Sequence, residues 1–263
     1  MTALFLLPLA GLLIGALVAL LGGGGGIFYV ALLTAGFGMP LEVAVPTSLA
    51  TIVPTTLVAA YAHHRRGHVH WPIGLWMAGS GVIGALLGAW LTTVIPEPVA
   101  RKGFALFLLV MGFFMLRARW RRRRHAPAFP VREPAAHPPR STPGRDALAA
   151  GFGLLGGVMA GLLGISGTPP ILAGLQLLGL RAAEIAGTSV FVLLVLALAG
   201  FAGHLHLGHV DWLRVVLLGA GTTVGAFIAP HLLGLIDERR MERLFTPIFL
   251  LMVLGFGAYL LIA

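Results

Sequence analysis

The sequence contains no cysteine, which removes disulfides, thiol catalysis and Cys-ligated metal sites from consideration. Charge is also scarce: Asp, Glu, Lys and Arg make up 10% of the 263 residues, where soluble domains carry about 25%. The nine carboxylates (Glu42, Glu97, Glu133, Asp146, Glu184, Asp211, Asp237, Glu238 and Glu242) all fall in or beside loops. None sits mid-span, where a proton relay or a cation path would place one. A carboxylate-based proton pump and a cation channel are therefore disfavoured. The glycine run Gly22–Gly26 is not followed by the Gly-Lys-Ser/Thr of a phosphate-binding loop, and no Walker-type strand precedes it. Strand-period alternation is missing as well, which argues against a β-barrel. The opening MTALFLLPLAGLLIGALVALL has no basic n-region and runs into glycines, not into a small-residue cleavage site. It is expected to be a retained first helix.

What the chain has instead is apolar length. Hydrophobic residues make up 58% of it and the mean hydropathy is +0.95. Apolar windows recur at about the 20 residues a bilayer-spanning helix needs, so an all-α polytopic membrane protein is expected. Candidate segments are 4–21, 26–37, 43–62, 72–95 and 101–118, then 147–163, 168–179, 183–203, 211–234 and 243–262. The second segment of each set is too short to cross about 30 Å at about 1.5 Å per residue. The net charge of +9 does not point to nucleic acid, because nine of the 18 basic residues crowd between Arg117 and Arg145. Beside a membrane such a cluster sets topology and offers a contact for anionic lipids. Segment 119–146, rich in Pro and Arg, is expected to be a disordered or extended cytoplasmic linker between repeats at 1–118 and 147–263.

The two halves repeat. LLGGGGGI at 20–27 matches LLGISGT at 162–168, PTSLATIVP at 46–54 matches GTSVFVLLV at 187–195, and HHRRGHVHW at 63–71 matches HLHLGHVDW at 204–212. Three blocks in the same order indicate internal duplication. The offset is 142 at Leu20/Leu162 and 141 at Thr47/Thr188 and Trp71/Trp212, so the second glycine segment reads as one residue shorter. Five segments per half would invert the second copy relative to the first. With the linker in the cytoplasm, only Arg101, Lys102 and Arg214 of the 18 basic residues fall on the opposite side. That agrees with the positive-inside rule for an inverted arrangement with both termini outside. Four spans per half, with the short segments turning back, would give a parallel repeat that fits the charges less well.

Short, glycine-interrupted segments at matching positions of two halves point to a transporter binding site. A helix that starts inside the membrane leaves backbone N–H groups unpaired at its positive end, which suits an oxyanion. Gly23, Gly24, Gly25 and Gly26 would let backbone approach a ligand, while in the second copy Gly167 belongs to the same site and Ser166 and Thr168 add hydroxyls. Pro169 and Pro170 suit the first turn of the helix that follows. Close packing through small residues is the competing explanation. Thr47-Ser48 and Thr188-Ser189 open the long helix after each short one and could donate hydroxyls to an anion, or cap and back-bond instead. Two histidine clusters, His63, His64, His68 and His70, then His204, His206 and His209, could bind zinc or copper. Their place in helix-end loops beside Trp71 and Trp212 favours interfacial anchoring over metal binding.

With these motifs the chain resembles the sulfite exporter TauE/SafE family, also grouped with sulfonate uptake permeases. The resemblance rests on LLGGGGGIF…PTSLATIVPTTLVAAYAHHRRGHVHW and GLLGISGTPPIL…GTSVFVLLVLALAGFAGHLHLGHVDW. It implies a bacterial inner-membrane carrier of small sulfur-containing anions such as sulfite or sulfoacetate. Two positions depart from the family pattern: Ser166 and Thr168 replace glycines in GISGTP, and Pro46 stands where the GTS pattern has glycine. The resulting expectation is a non-enzymatic secondary transporter without cofactor or metal, with its anion bound between the repeats. A homodimer is compatible with it; a metal-cation transporter and an anion channel are the rival readings.

Overall fold

Glycine decides which helices of this protein lie against each other. The computed structural model describes residues 2–21, 25–124, 142–205, 210–233, 250–251 and 253–262. All regular structure among them is helical. The first half holds α1 (Thr2–Leu21), α2 (Gly26–Ala31) with a π-helical turn at Leu32–Gly36, α3 (Leu41–Arg65), α4 (Trp71–Val94) and α5 (Glu97–Arg124). The second holds α6 (Pro143–Leu163), α7 (Thr168–Leu177), α8 (Ala182–Leu205), α9 (Trp212–Leu233) and α10 (Val253–Ile262). Helices α3, α4, α6 and α8 are long and apolar enough to cross a membrane. The share of α3 that is buried inside the protein is the largest of the four, which makes α3 the central helix.

The two largest helix–helix interfaces are α4 with α6 and α1 with α9, and each crosses from one half to the other. In the first, Cβ atoms built on Gly84, Gly88, Gly153, Gly157 and Gly161 would lie 2.0 to 2.4 Å from backbone oxygens of the partner helix. Only glycine permits that approach, and the rows Gly84/Gly88 and Gly153/Gly157/Gly161 repeat at the four-residue spacing of small-residue membrane packing. Gly15, Gly221 and Gly225 do the same between α1 and α9, at 2.0 to 2.1 Å. The order of contacts fixes direction. Gly81, Gly84 and Gly88 meet Gly153, Leu154 and Val158 in rising sequence, so α4 and α6 run parallel. Gly221 meets Pro8 and Gly225 meets Leu12, so α1 and α9 also run parallel. Helices holding the same place in the two halves instead pack antiparallel: Gly112 of α5 meets Leu254 of α10, and Gly257 meets Leu109.

Two expectations need correction. Residues 119–124, assigned to the linker, continue α5 to Arg124, because arginine propagates a helix well and no proline intervenes before Pro127. The extra residue of the first copy is not in its glycine run. Gly25 caps α2 and accepts from Tyr29 N; Gly167 caps α7 and accepts from Ile171 N, so the offset of 142 persists through the glycines. It becomes 141 only at Gly38 and Gly179, which share φ values of 64° and 75°. The added residue lies in between, where the π-helical turn Leu32–Gly36 absorbs it by widening the helical ring by one residue.

A candidate oxyanion site where two broken helices meet

The chain breaks between α1 and α2 and again between α6 and α7, and the two breaks touch. A Cβ on Gly26 would stand 2.5 Å from Ile165 Cα and 2.7 Å from Gly164 O. Gly164 lies equally close to α3, where its Cβ would be 3.0 Å from Val45 Cα, and its carbonyl accepts from Ser48 Oγ at 3.0 Å. Thus α2, α3 and the second break share one buried point. Ser48 and Ser166 are fully buried there, and Ser189 is fully buried in α8.

The second break is a sequence of left-handed residues: Gly164 (φ 67°), Ser166 (φ 58°) and Gly167 (φ 65°). Ser166 is the non-glycine residue with positive φ among those described, a conformation serine pays for by about 1 kcal/mol. Its hydroxyl stays local, donating to Ile165 O at 2.7 Å and pairing with Thr168 Oγ1 at 3.1 Å. The helix starts differ in what they offer. In α2 Tyr29 N donates to Gly25 O, which makes Gly25 the cap of this helix. In α7 the second and third positions are Pro169 and Pro170, which have no N–H to give. The second break therefore offers hydroxyls, those of Ser166 and Thr168, rather than backbone donors at these two positions.

Of the residues singled out from sequence, Gly25, Gly26, Ser48, Ser166, Gly167 and Thr168 come together around this point. Gly23 and Gly24 lie outside the described residues. Thr47 and Thr188 are buried but otherwise engaged: Thr47 Oγ1 accepts Asp211 N at 3.1 Å, and Thr188 Oγ1 accepts His70 N at 2.9 Å. Ser189 donates to Ala186 O at 3.0 Å. Gly26 and Gly167 have packing reasons to be glycine, the latter because its Cβ would be 2.1 Å from Gly156 O.

The histidines do not gather. Among the described residues no group of three or more His, Cys, Asp or Glu side chains could hold a metal. His63 and His68 pair through Nδ1 at 3.3 Å, and His70 Nδ1 caps α4 by accepting from Ile73 N. His204 is buried with Nε2 2.8 Å from Gly161 O; His206 and His209 lie outside the described residues. One constellation escaped the sequence reading, the hydroxyls of Tyr29, Thr55 and Thr222. Its signal was Thr47, Thr51 and Thr55 at four-residue spacing on one helix face.

Helices that break in the membrane and face each other across two repeated halves define a membrane transporter of the broken-helix class. The family model "Sulfite exporter TauE/SafE" matches residues 7–260, and the chain belongs to that family. It is 33% identical over 227 residues to the probable membrane transporter protein YdhB of Bacillus subtilis (strain 168), covering 86% of this chain and 89% of that one. The probable membrane transporter protein YunE of the same organism is 26% identical over 249 residues, 90% of this chain and 89% of that protein. A probable membrane transporter protein of Xylella fastidiosa (strain 9a5c) is 32% identical over 111 residues, 42% of each chain. No solved structure matches the chain significantly.

Proposed function

We propose that this protein is a secondary transporter of small sulfur-containing oxyanions, sulfite or an organosulfonate, that binds its substrate between the two breaks. The observation that carries the reading is the contact of Gly26 with Ile165 and Gly164, which sets the start of α2 in one half beside the hydroxyl-bearing break of the other. Unpaired N–H groups and hydroxyls at a helix start complement an oxyanion without a buried cation. Ser166, Ser48 and Ser189 are fully buried, which supports loading and release by movement of one half against the other, alternating access.

The antiparallel packing of α5 on α10 supports an inverted repeat, because a two-fold axis between equal, antiparallel helices lies across them. In a bilayer that axis lies in the membrane plane. The distribution of basic residues supports segment 119–146 in the cytoplasm and both termini outside.

The test is flux of labelled sulfite and of a panel of sulfonates into proteoliposomes. Saturable uptake with counterflow is expected. Flux equal to that of empty vesicles across the panel rejects the reading, and unitary currents without counterflow replace the carrier by a channel.

A further inference from the structure

One cluster of buried hydroxyls next to the breaks draws on both halves of the molecule. Tyr29, Thr55 and Thr222 are 1%, 2% and 0% exposed, and they bring three hydroxyls together from α2, α3 and α9. Thr55 Oγ1 and Thr222 Oγ1 are 2.9 Å apart. The Tyr29 hydroxyl interacts with both, but with neither does it reach full hydrogen-bond geometry. In the second half the same three places are held by Ile171, Leu196 and Gly81. There Ile171 and Leu196 belong to an apolar cluster, and Leu196 Cδ1 fills the space 2.5 Å from where a Gly81 Cβ would stand. The fold thus accepts a wholly apolar filling at this position. Three hydroxyls in the other copy are not an architectural need, and an unpaired buried hydroxyl is costly.

Proton counting narrows what the hydroxyls can bind. If Thr55 donates to Thr222, Thr222 donates to Gly219 O at 3.1 Å; if Thr222 donates to Thr55, the Thr55 proton is left for Thr51 O at 3.4 Å. In either arrangement one proton lies between the two threonines and the other on a backbone carbonyl, which leaves the pair lone pairs to turn toward Tyr29. Thr51 also spends its proton inside α3, on Thr47 O at 2.8 Å. Pro54, beside Thr55, has no N–H for the carbonyl of Ala50, which leaves one more oxygen without its helical donor. An oxyanion meets only lone pairs at the Thr pair. A small cation meets what it coordinates, neutral oxygens.

We propose that Tyr29, Thr55 and Thr222 form a binding site for a small monovalent cation of the size of Na+, serving as the coupling ion of the transporter; the coupling role rests on the function proposed above. Tyr29 and Thr55 belong to the first half and Thr222 to the second, so the three oxygens converge only when the halves hold this arrangement. Tyr29 is one turn from Gly26, which touches the opposing break. A cation here stabilises the arrangement of α2 that presents its N-terminus to the anion, and so links the two ligands without a membrane-buried carboxylate.

The test uses the purified full chain in detergent. Its Tm is measured in NaCl, LiCl, KCl and choline chloride at equal ionic strength, together with saturation binding of radiolabelled Na+. A saturable, cation-selective rise in Tm and saturable Na+ binding are expected. Tyr29→Phe and Thr222→Val should each raise the half-saturating Na+ concentration by on the order of tenfold, with Tm in choline kept. Thr55→Ser, which retains the oxygen, should keep the affinity. Equal Tm in all four salts with no bound Na+ overturns the proposal. So does a Na+ response in Tyr29→Phe and Thr222→Val equal to that of the unmodified protein, which assigns the hydroxyls to a structural water. Neither readout needs anion flux. Na+ binding without any anion flux rejects the proposed substrate and keeps the cation site; anion flux with no Na+ binding does the reverse.

Discussion

The backbone N–H of Asp211 donates to Thr47 Oγ1 at 3.1 Å, fastening the start of α9 in the second half to the first turns of α3 in the first. The relation is reciprocated at the equivalent residues: His70 N donates to Thr188 Oγ1 at 2.9 Å. An exchange in which each copy gives what the other receives is the contact pattern of a two-fold axis. Each hydroxyl replaces a carbonyl that the N–H before a helix start would otherwise lack.

Removing one of these fasteners leaves a buried N–H short of its partner. Thr47→Val and Thr188→Val should each destabilise the protein by about 1–3 kcal/mol. Thermal unfolding in detergent should show comparable falls in Tm for the two variants. A loss in one and none in the other would break the equivalence of the two halves.

The α4–α6 interface makes a steric prediction. A methyl on Gly157 would stand 2.1 Å from Gly81 O, whereas one on Gly151 meets nothing within 4 Å. Gly157→Ala should therefore shift the protein from a monodisperse peak to aggregate in size-exclusion chromatography, and Gly151→Ala should elute as the unmodified chain does. Equal profiles would mean that the two helices separate at little cost.

Ser166 separates ligand binding from packing. Ser166→Gly removes the hydroxyl and relieves the φ of 58°, so stability should hold or rise by up to about 1 kcal/mol. Sulfite flux should nonetheless fall, through a higher half-saturating concentration. Unchanged flux kinetics would remove this hydroxyl from the site. Gly26→Ala is not an equivalent test, because its Cβ would collide with Ile165 backbone at 2.5 Å and damage folding and transport together.

Orientation can be read by thiol labelling, since the chain has no native cysteine. Arg66→Cys and Leu207→Cys mark the same place in the two repeats. An inverted repeat makes the first react with a membrane-impermeant maleimide from the cytoplasmic side and the second from the opposite side. Labelling of both from one side would establish a parallel repeat.

Much of this protein was legible before any coordinates, because membrane helices and duplicated blocks leave long-range signals in sequence. The ten apolar segments match the helices wherever residues are described, and the short second segments became α2 with its π-helical turn and α7. The glycine run was harder to read. Gly26 packs closely against the backbone of Ile165 and Gly164, so the packing explanation holds for it, as it does for Gly84, Gly88, Gly153, Gly157 and Gly161 between α4 and α6. Sequence spacing alone could not separate these, since small residues that admit a ligand and small residues that admit a helix look alike. Thr47 and Thr188 were legible as special but not as cross-half acceptors, because their partners Asp211 and His70 lie 164 and 118 residues away.

Composition and duplication by themselves determined that this is an all-helical membrane protein with two copies of a broken-helix unit, because hydropathy and repeat offset are properties of the chain. Which copy carries the extra residue was visible as a change in offset, but its location in the turn Leu32–Gly36 was decided by hydrogen bonds that sequence does not show. The tertiary structure alone brought Gly26 against Ile165, and Tyr29 against Thr55 and Thr222. The physical reason is that each contact joins elements distant in the chain, and only the packing of glycine against backbone sets how closely they approach.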